Sequence, residues 1–174
     1  PLHGEILTDK IGEFVGLYDK WSRYEAEKEG VTIAYTSVYG NTEAAATELG
    51  EKLTENGVFV RMFDLARSDM SQAVSSAFEL SKLVLATTTY NGEIFPFMRE
   101  FVSALTERNY QNRTIAVIDN GSWAPQCEKI IKKHFESSKN IVFAQNNVTI
   151  LSAMNEQNKQ QINLLAAELS ENRA

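Results

Sequence analysis

Residues 36–42, Thr-Ser-Val-Tyr-Gly-Asn-Thr, are the stretch of this chain best suited to chemistry. Thr36, Ser37 and Thr42 bring hydroxyls, Asn41 an amide and Gly40 a flexible backbone, and there is no Lys or Arg. The stretch leaves an apolar run and opens a helix-forming one. A helix start presents unpaired N–H groups and a partial positive charge, and it can hold an anion without a charged side chain. Gly40 permits a tight turn and close backbone approach. The triphosphate pattern G-x-x-x-x-G-K-[ST] is missing, and so is the dinucleotide pattern G-x-G-x-x-G. What remains is a site for one phosphate monoester, bound by neutral donors. A plain helix cap is the simpler explanation, but a cap needs one such residue. Here five residues of seven are polar.

Two further segments share this character: TTTYNGEIFP at 87–96 and NGSWAP at 120–125. Each has a glycine-containing turn with an aromatic residue close beside the glycine, Tyr90 or Trp123. Either aromatic alone would read as buried in its loop. Both at neighbouring strand ends point instead to a planar heterocycle on a phosphorylated tail. Its faces would stack on the rings and its edge would pair with backbone groups.

The elements that must position these loops follow from periodicity. Apolar runs predict strands at 31–35, 58–63, 82–87, 114–119 and 141–150, the last with an interruption at 145–147. The first, third and fourth are continuous, as strands buried on both faces should be. Amphipathic stretches predict helices at 42–56, 69–78, 96–107, 125–137 and 155–171. Pro96 and Pro125 suit first-turn positions, and Gly57 suits a helix stop. Five strand–helix alternations imply an α/β fold with a parallel sheet and right-handed crossovers, in the order 2-1-3-4-5. Ligands of such sheets lie beyond the strand C-termini where the order reverses, here beside the first and third strands. Residues 9–28 stand outside the alternation. Ile11, Phe14, Val15, Tyr18 and Trp21 fall at helical spacing, predicting an extra N-terminal helix and a short linker. It reads equally as a helix packed on the core or as a connector from something upstream.

Composition narrows the classes. The 174 residues, 43% hydrophobic, suit one domain with a sizeable core. The net charge of −6 argues against nucleic acid. No window reaches the roughly 18 apolar residues of a membrane span. The N-terminus lacks the pattern of a signal peptide, and a single cysteine, Cys127, fits a reducing cytoplasm. Cys127 sits at a helix start without a histidine partner and reads as a bystander.

In its motifs the chain resembles flavodoxin, and more narrowly the flavodoxin-like domain of flavodiiron proteins, the A-type flavoproteins. The motifs are YTSVYGNTE at 35–43, TTYNGEIFPFM at 88–98, NYQNRT at 109–114 and NGSWAP at 120–125. The resemblance covers essentially the whole chain and implies a flavodoxin-like three-layer fold with non-covalently bound FMN. It implies Ser37, Val38, Tyr39, Gly40, Asn41 and Thr42 for the phosphate. It implies Thr89, Tyr90, Asn91, Gly92, Gly121, Ser122 and Trp123 around the ring. Family members usually have Pro where this chain has Thr88, and a second Gly and second Pro where it has Glu93 and Phe97.

The resemblance also accounts for the start. Flavodiiron proteins carry a preceding metallo-β-lactamase-like domain with two irons, whose last stretch holds a ligand histidine in a His-Gly context. Leu2-His3-Gly4, then Tyr18 and Trp21, match that tail, making His3 a remnant iron ligand of the parent. The H-x-E-x-D-H run is missing, His134 falls in a Lys-rich stretch expected to be exposed, and one histidine cannot hold an iron pair. Residues 1–29 thus read as that tail plus a connector helix, and 30–174 as the FMN-binding domain, with no metal of its own.

The implied role is electron transfer. A rubredoxin or an NADH-linked reductase would feed the flavin. The flavin would feed a diiron site reducing dioxygen or nitric oxide, across a head-to-tail homodimer of the parent. No residue is assigned as general acid or base. The rival within the fold is a stand-alone NAD(P)H:quinone oxidoreductase, separable by NADH turnover with a quinone. A phosphorelay receiver needs acids after the first strand and an Asp ending the third, where this chain has Thr36-Ser37 and Thr87-Thr88. An interaction domain without a nucleotide would ignore added FMN.

Overall fold

The computed structural model of the chain describes residue 6 and residues 8–171; His3 lies outside them. Seven strands and six helices follow one another along the described residues. They are α1 (Ile11–Ser22), β1 (Lys28–Tyr35), α2 (Asn41–Glu55), β2 (Val60–Asp64), α3 (Met70–Glu79) and β3 (Leu80–Tyr90). Then come β4 (Glu93–Ile94), α4 (Pro96–Thr106), β5 (Arg113–Asn120), α5 (Cys127–His134), β6 (Ile141–Phe143), β7 (Val148–Ile150) and α6 (Glu156–Ser170). The sheet order is β2-β1-β3-β5-β6, all parallel, with β7 also on β5. This is the expected flavodoxin-like 2-1-3-4-5 order, the fifth strand being split into β6 and β7.

Alternate residues of the central strands go to opposite faces, as a pleat requires. Ile33, Val84, Ala116 and Ile118 join Leu49 of α2 and Leu165 of α6 on one face. Ala34, Leu85, Ile115 and Val117 join Ala73 of α3, Phe101 of α4 and Ile131 of α5 on the other. Both faces are buried, which is why these strands read as unbroken apolar runs.

The expected interruption of the last strand falls between β6 and β7, where Asn147 Oδ1 accepts the Val117 N–H at 2.8 Å, so a side chain replaces the missing ladder acceptor. The differences from expectation have identifiable causes. Pro96 begins α4 as expected, but Pro125 does not begin α5. That helix starts at Cys127 and ends at His134, short of the expected 125–137. β3 runs on to Tyr90 and folds back as an antiparallel hairpin with β4. Asn91 and Gly92 form its tip, both with positive φ, 52° and 76°. That is the type I′ geometry an Asn-Gly pair favours.

α1 has no buried residue. Ile11, Phe14, Val15, Tyr18 and Trp21 are all exposed, so the helix does not pack on the core. Its following segment is nonetheless anchored: the buried Arg113 guanidinium donates to the carbonyls of Tyr24 at 2.6 Å and Leu80 at 2.9 Å. His134, expected at the surface, is half-buried.

Candidate functional site

The C-terminal ends of β1, β3, β5 and β7 lie along one sheet edge, and their loops enclose a cleft of about 340 Å³. The first wall is the start of α2. Its N-cap is Gly40, left-handed at φ 86°, and no side chain caps the helix. A Cβ at Gly40 would meet nothing within 4 Å, so glycine is required for conformation, not for room. Ser37 Oγ accepts the Gly40 N–H at 3.1 Å and closes the preceding turn, which leaves the Ser37 hydroxyl hydrogen free to donate outward. The first-turn N–H groups of α2 therefore have no side-chain acceptor, and Asn41 and Thr42 of that turn line the cleft. Simple capping by Ser or Thr does not describe this loop.

Its other hydroxyls are partly committed elsewhere. Thr36 is buried, and its Oγ1 lies 2.7 Å from Thr87 Oγ1. Thr36 was expected among the ligand donors; it ties β1 to β3 instead. Thr42 Oγ1 lies 3.2 Å from Thr88 Oγ1 and accepts from Asn120 Nδ2 at 3.2 Å. Asn120 Nδ2 also donates to the Ser152 carbonyl at 3.1 Å. One hydroxyl and one amide thus join four loops, and they preform the cleft before any ligand arrives.

Of the residues the sequence singled out, Ser37, Val38, Tyr39, Asn41, Thr42, Thr89, Tyr90, Gly121 and Ser122 line the cleft. Gly40, Asn91, Gly92 and Trp123 do not. Gly40 shapes the first loop from behind, and Asn91 and Gly92 are spent on the hairpin tip. Burial within their loops fits neither aromatic. Tyr90 is 57% exposed and meets the Phe95 ring edge-on at 5.5 Å. Trp123 is 93% exposed, outside the wall. Tyr39, 91% exposed, is a third ring at the rim. Thr88, Phe95, Asn120 and Ser152 complete the lining and had not been named as site residues. Ser152 could have been found from topology alone, since a fifth parallel strand must end at the same edge. None of the lining residues is charged.

The wall behind Thr89 holds the site's one buried carboxyl. Asp119, at the end of β5, lies 3.4 Å from the Thr89 hydroxyl through Oδ1 and accepts the Glu128 N–H at 3.2 Å through Oδ2. This contact caps the start of α5 from another element, which explains why that helix begins at Cys127 and not at Pro125. Burial raises the Asp119 carboxyl above the usual range against the lowering effect of those hydrogen bonds. Cys127 is buried with its Sγ 3.2 Å from Thr89 Oγ1. Burial, then the neighbouring Asp119, push its thiol up, so it stays neutral and is no nucleophile. Among the described residues no group of three or more His, Cys, Asp or Glu could hold a metal ion, and no helix is long and apolar enough to cross a membrane.

A doubly wound α/β domain with its cleft at the switch point between β1 and β3 is the class that the geometry defines. Within that class, residues 32–171 match the flavodoxin domain model, and the chain belongs to the flavodoxin family. The anaerobic nitric oxide reductase flavorubredoxin of Escherichia coli O1:K1 is 25% identical over 124 residues, covering 70% of this chain and 26% of that protein's length. The flavodiiron protein of Giardia intestinalis superposes with a TM-score of 0.83 at 18% identity, covering 93% of this chain and 40% of that one. A flavodoxin from the domain Archaea superposes with a TM-score of 0.70 at 17% identity, covering 81% of this chain and 96% of its own. The chain thus spans well under half the length of the flavorubredoxin and flavodiiron relatives it matches.

Proposed function

We propose that the cleft binds one FMN without a covalent link, and that the chain is the electron-transfer domain of a flavodiiron-type protein. The carrying observation is the start of α2. It is uncapped, free of Lys and Arg, and opens into a cleft walled by neutral donors and rimmed by aromatic rings. When bound, FMN supplies the reversible redox chemistry. The chain's residues do the rest. The first-turn N–H groups of α2 with the Ser37 and Thr42 hydroxyls would hold the phosphate, a charge matched by the helix end. The loops at 88–95 and 120–122 would take the ring, with Tyr39, Tyr90 or the exposed face of Trp123 stacking on it. The uncharged lining leaves negative charge on a reduced ring without a partner cation, which keeps the bound cofactor a strong reductant.

In this reading residues 1–29 are the end of a preceding diiron domain plus a connector. The exposed apolar stripe of α1 supports it. So does coverage: the flavodoxin relative accounts for 81% of the chain and the flavodiiron relative for 93%. Electrons would enter from a rubredoxin or an NADH-linked reductase and leave to the diiron site of a head-to-tail dimeric parent in a reducing cytoplasm. The chain alone would accept electrons without reducing nitric oxide.

Titration with FMN tests the core of this. One equivalent should bind with strong quenching of flavin emission, and replacing both Tyr90 and Trp123 with Leu should restore much of it. No spectral change, or a preference for FAD, would count against the assignment. Anaerobic reduction followed by nitric oxide should leave the reduced spectrum in place; catalytic nitrous oxide would sink the fragment reading.

A further inference from the structure

We propose that Asp119 is a proton-accepting positioning residue, taking up one proton when the cofactor in the adjacent cleft is reduced. The inference rests on the FMN reading above. It starts from geometry. Asp119 is 3% exposed, at the end of a central strand. Its carboxyl touches Thr89, whose other side lines the cleft. The same hydroxyl accepts the Gln126 N–H at 2.9 Å, so carboxyl, threonine and the approach to α5 form one connected wall.

The carboxylate has hydrogen bonds but no cation. Among the described residues no Lys or Arg lies within ion-pair distance of it. Its neighbours on β3 and β7 are Thr87 and Thr149, neither of them ionisable. From α5 it faces the neutral Cys127 thiol and the Glu128 backbone. Lys129 and Lys132 border the solvent cleft beside it, and Lys132 is already paired with Glu128 at 2.6 Å. An uncompensated carboxylate in a low-dielectric wall responds strongly to any new charge nearby.

Reduction brings such a charge. Two electrons entering the cleft from the donor make the ring more negative, and two like charges across one residue disfavour each other. A proton from solvent joining Asp119 Oδ relieves this. The proton has a route, because Asp119, Pro125, Gln126 and Thr149 border an open cleft of about 390 Å³ on the far side of the wall. Electrons come from the donor and the proton from water; no bond to the cofactor forms at Asp119. Protonation also exchanges an acceptor for a donor at Thr89, so the cleft wall itself registers the redox state.

The test is reduced-minus-oxidised infrared difference spectroscopy of the FMN-loaded chain, dithionite-reduced, with and without 13C-carboxyl aspartate. The expected result is a protonated-carboxyl stretch on reduction, isotope-shifted and absent in Asp119→Asn. The pH profile of the midpoint potential should show one extra proton per electron pair, over a window that Asp119→Asn lacks. The labelled native chain needs no variant, so a misfolded Asp119→Asn leaves the experiment decisive. A normal flavin spectrum without an isotope-sensitive carboxyl band would overturn the inference while leaving FMN binding intact. Failure of FMN to bind would show first in the visible spectrum, and would overturn both.

Discussion

α2 and α6 are both 15 residues long, pack on the same face of the sheet, and start at the same edge. Their starts are opposites. At α6, Asn155 accepts the Asn158 N–H at 3.0 Å while the Asn158 side chain accepts the Asn155 N–H at 3.2 Å, a closed reciprocal cap. At α2 the cap is a left-handed glycine with no side-chain bond. α3 is closed by Asp69, which accepts the Ser71 N–H at 2.8 Å, and α5 by Asp119 from a neighbouring strand. At α3, α5 and α6 a polar side chain thus seals the helix start, at a gain of roughly 1 kcal/mol each. α1, α2 and α4 have no such cap, and of these three α2 alone sets first-turn residues, Asn41 and Thr42, in the lining of the preformed cleft, where an anion would complete the helix.

The comparison can be broken most sharply through the ligand. FMN should bind at least about a hundredfold more tightly than riboflavin, because two charge-assisted hydrogen bonds at roughly 1.5–3 kcal/mol each would be lost. Equal affinities in parallel fluorescence titrations would refute the anion site at α2. Next comes Thr42→Val, which removes a phosphate donor and takes from Asn120 one of its two acceptors. The FMN dissociation constant should rise roughly tenfold, with about 1 kcal/mol lost from the fold. A change in urea midpoint alone would make Thr42 a purely structural tie.

Asn155→Ala is the counterpart at the sealed end. It should cost about 1 kcal/mol of stability and leave FMN affinity where it was; a fall in affinity would mean that the two starts are not independent. The smallest expected effect concerns the borrowed cap. Since burial raises the Asp119 carboxyl in the folded chain, the folded state holds that proton more tightly than the unfolded one. The resulting stability is fully present below the unfolded value of about 3.9 and fades as pH rises through the folded value. Urea midpoints of the native apo-chain should decline across that window relative to those of Asp119→Asn. Parallel profiles for the two would show that the carboxyl titrates normally.

What could be read from the chain was what depends on near neighbours. Continuous apolar runs at β1, β3 and β5 declare strands buried on both faces, and their alternation with amphipathic stretches declares a parallel sheet. The residue types at 36–42 declare a helix start short of charge. Asn91-Gly92 is equally a local signal, since such a pair favours the positive φ of a hairpin tip. The rest was set by partners far apart in sequence. Thr36 meets Thr87, Thr42 meets Thr88 and Asn120, and Asp119 rather than Pro125 decides where α5 begins. Such pairings follow from strand register, which brings together side chains separated by up to 78 positions. A local pattern cannot say which hydroxyl turns inward to a neighbouring strand and which is left for a ligand. The same holds for the rings: Trp123 and Tyr90 are alike in sequence context, but the chain's path sends Trp123 out into solvent and sets Tyr90 at the cleft. The loop types were therefore written in the sequence, and their division of labour arose only when four strand ends were aligned at one edge.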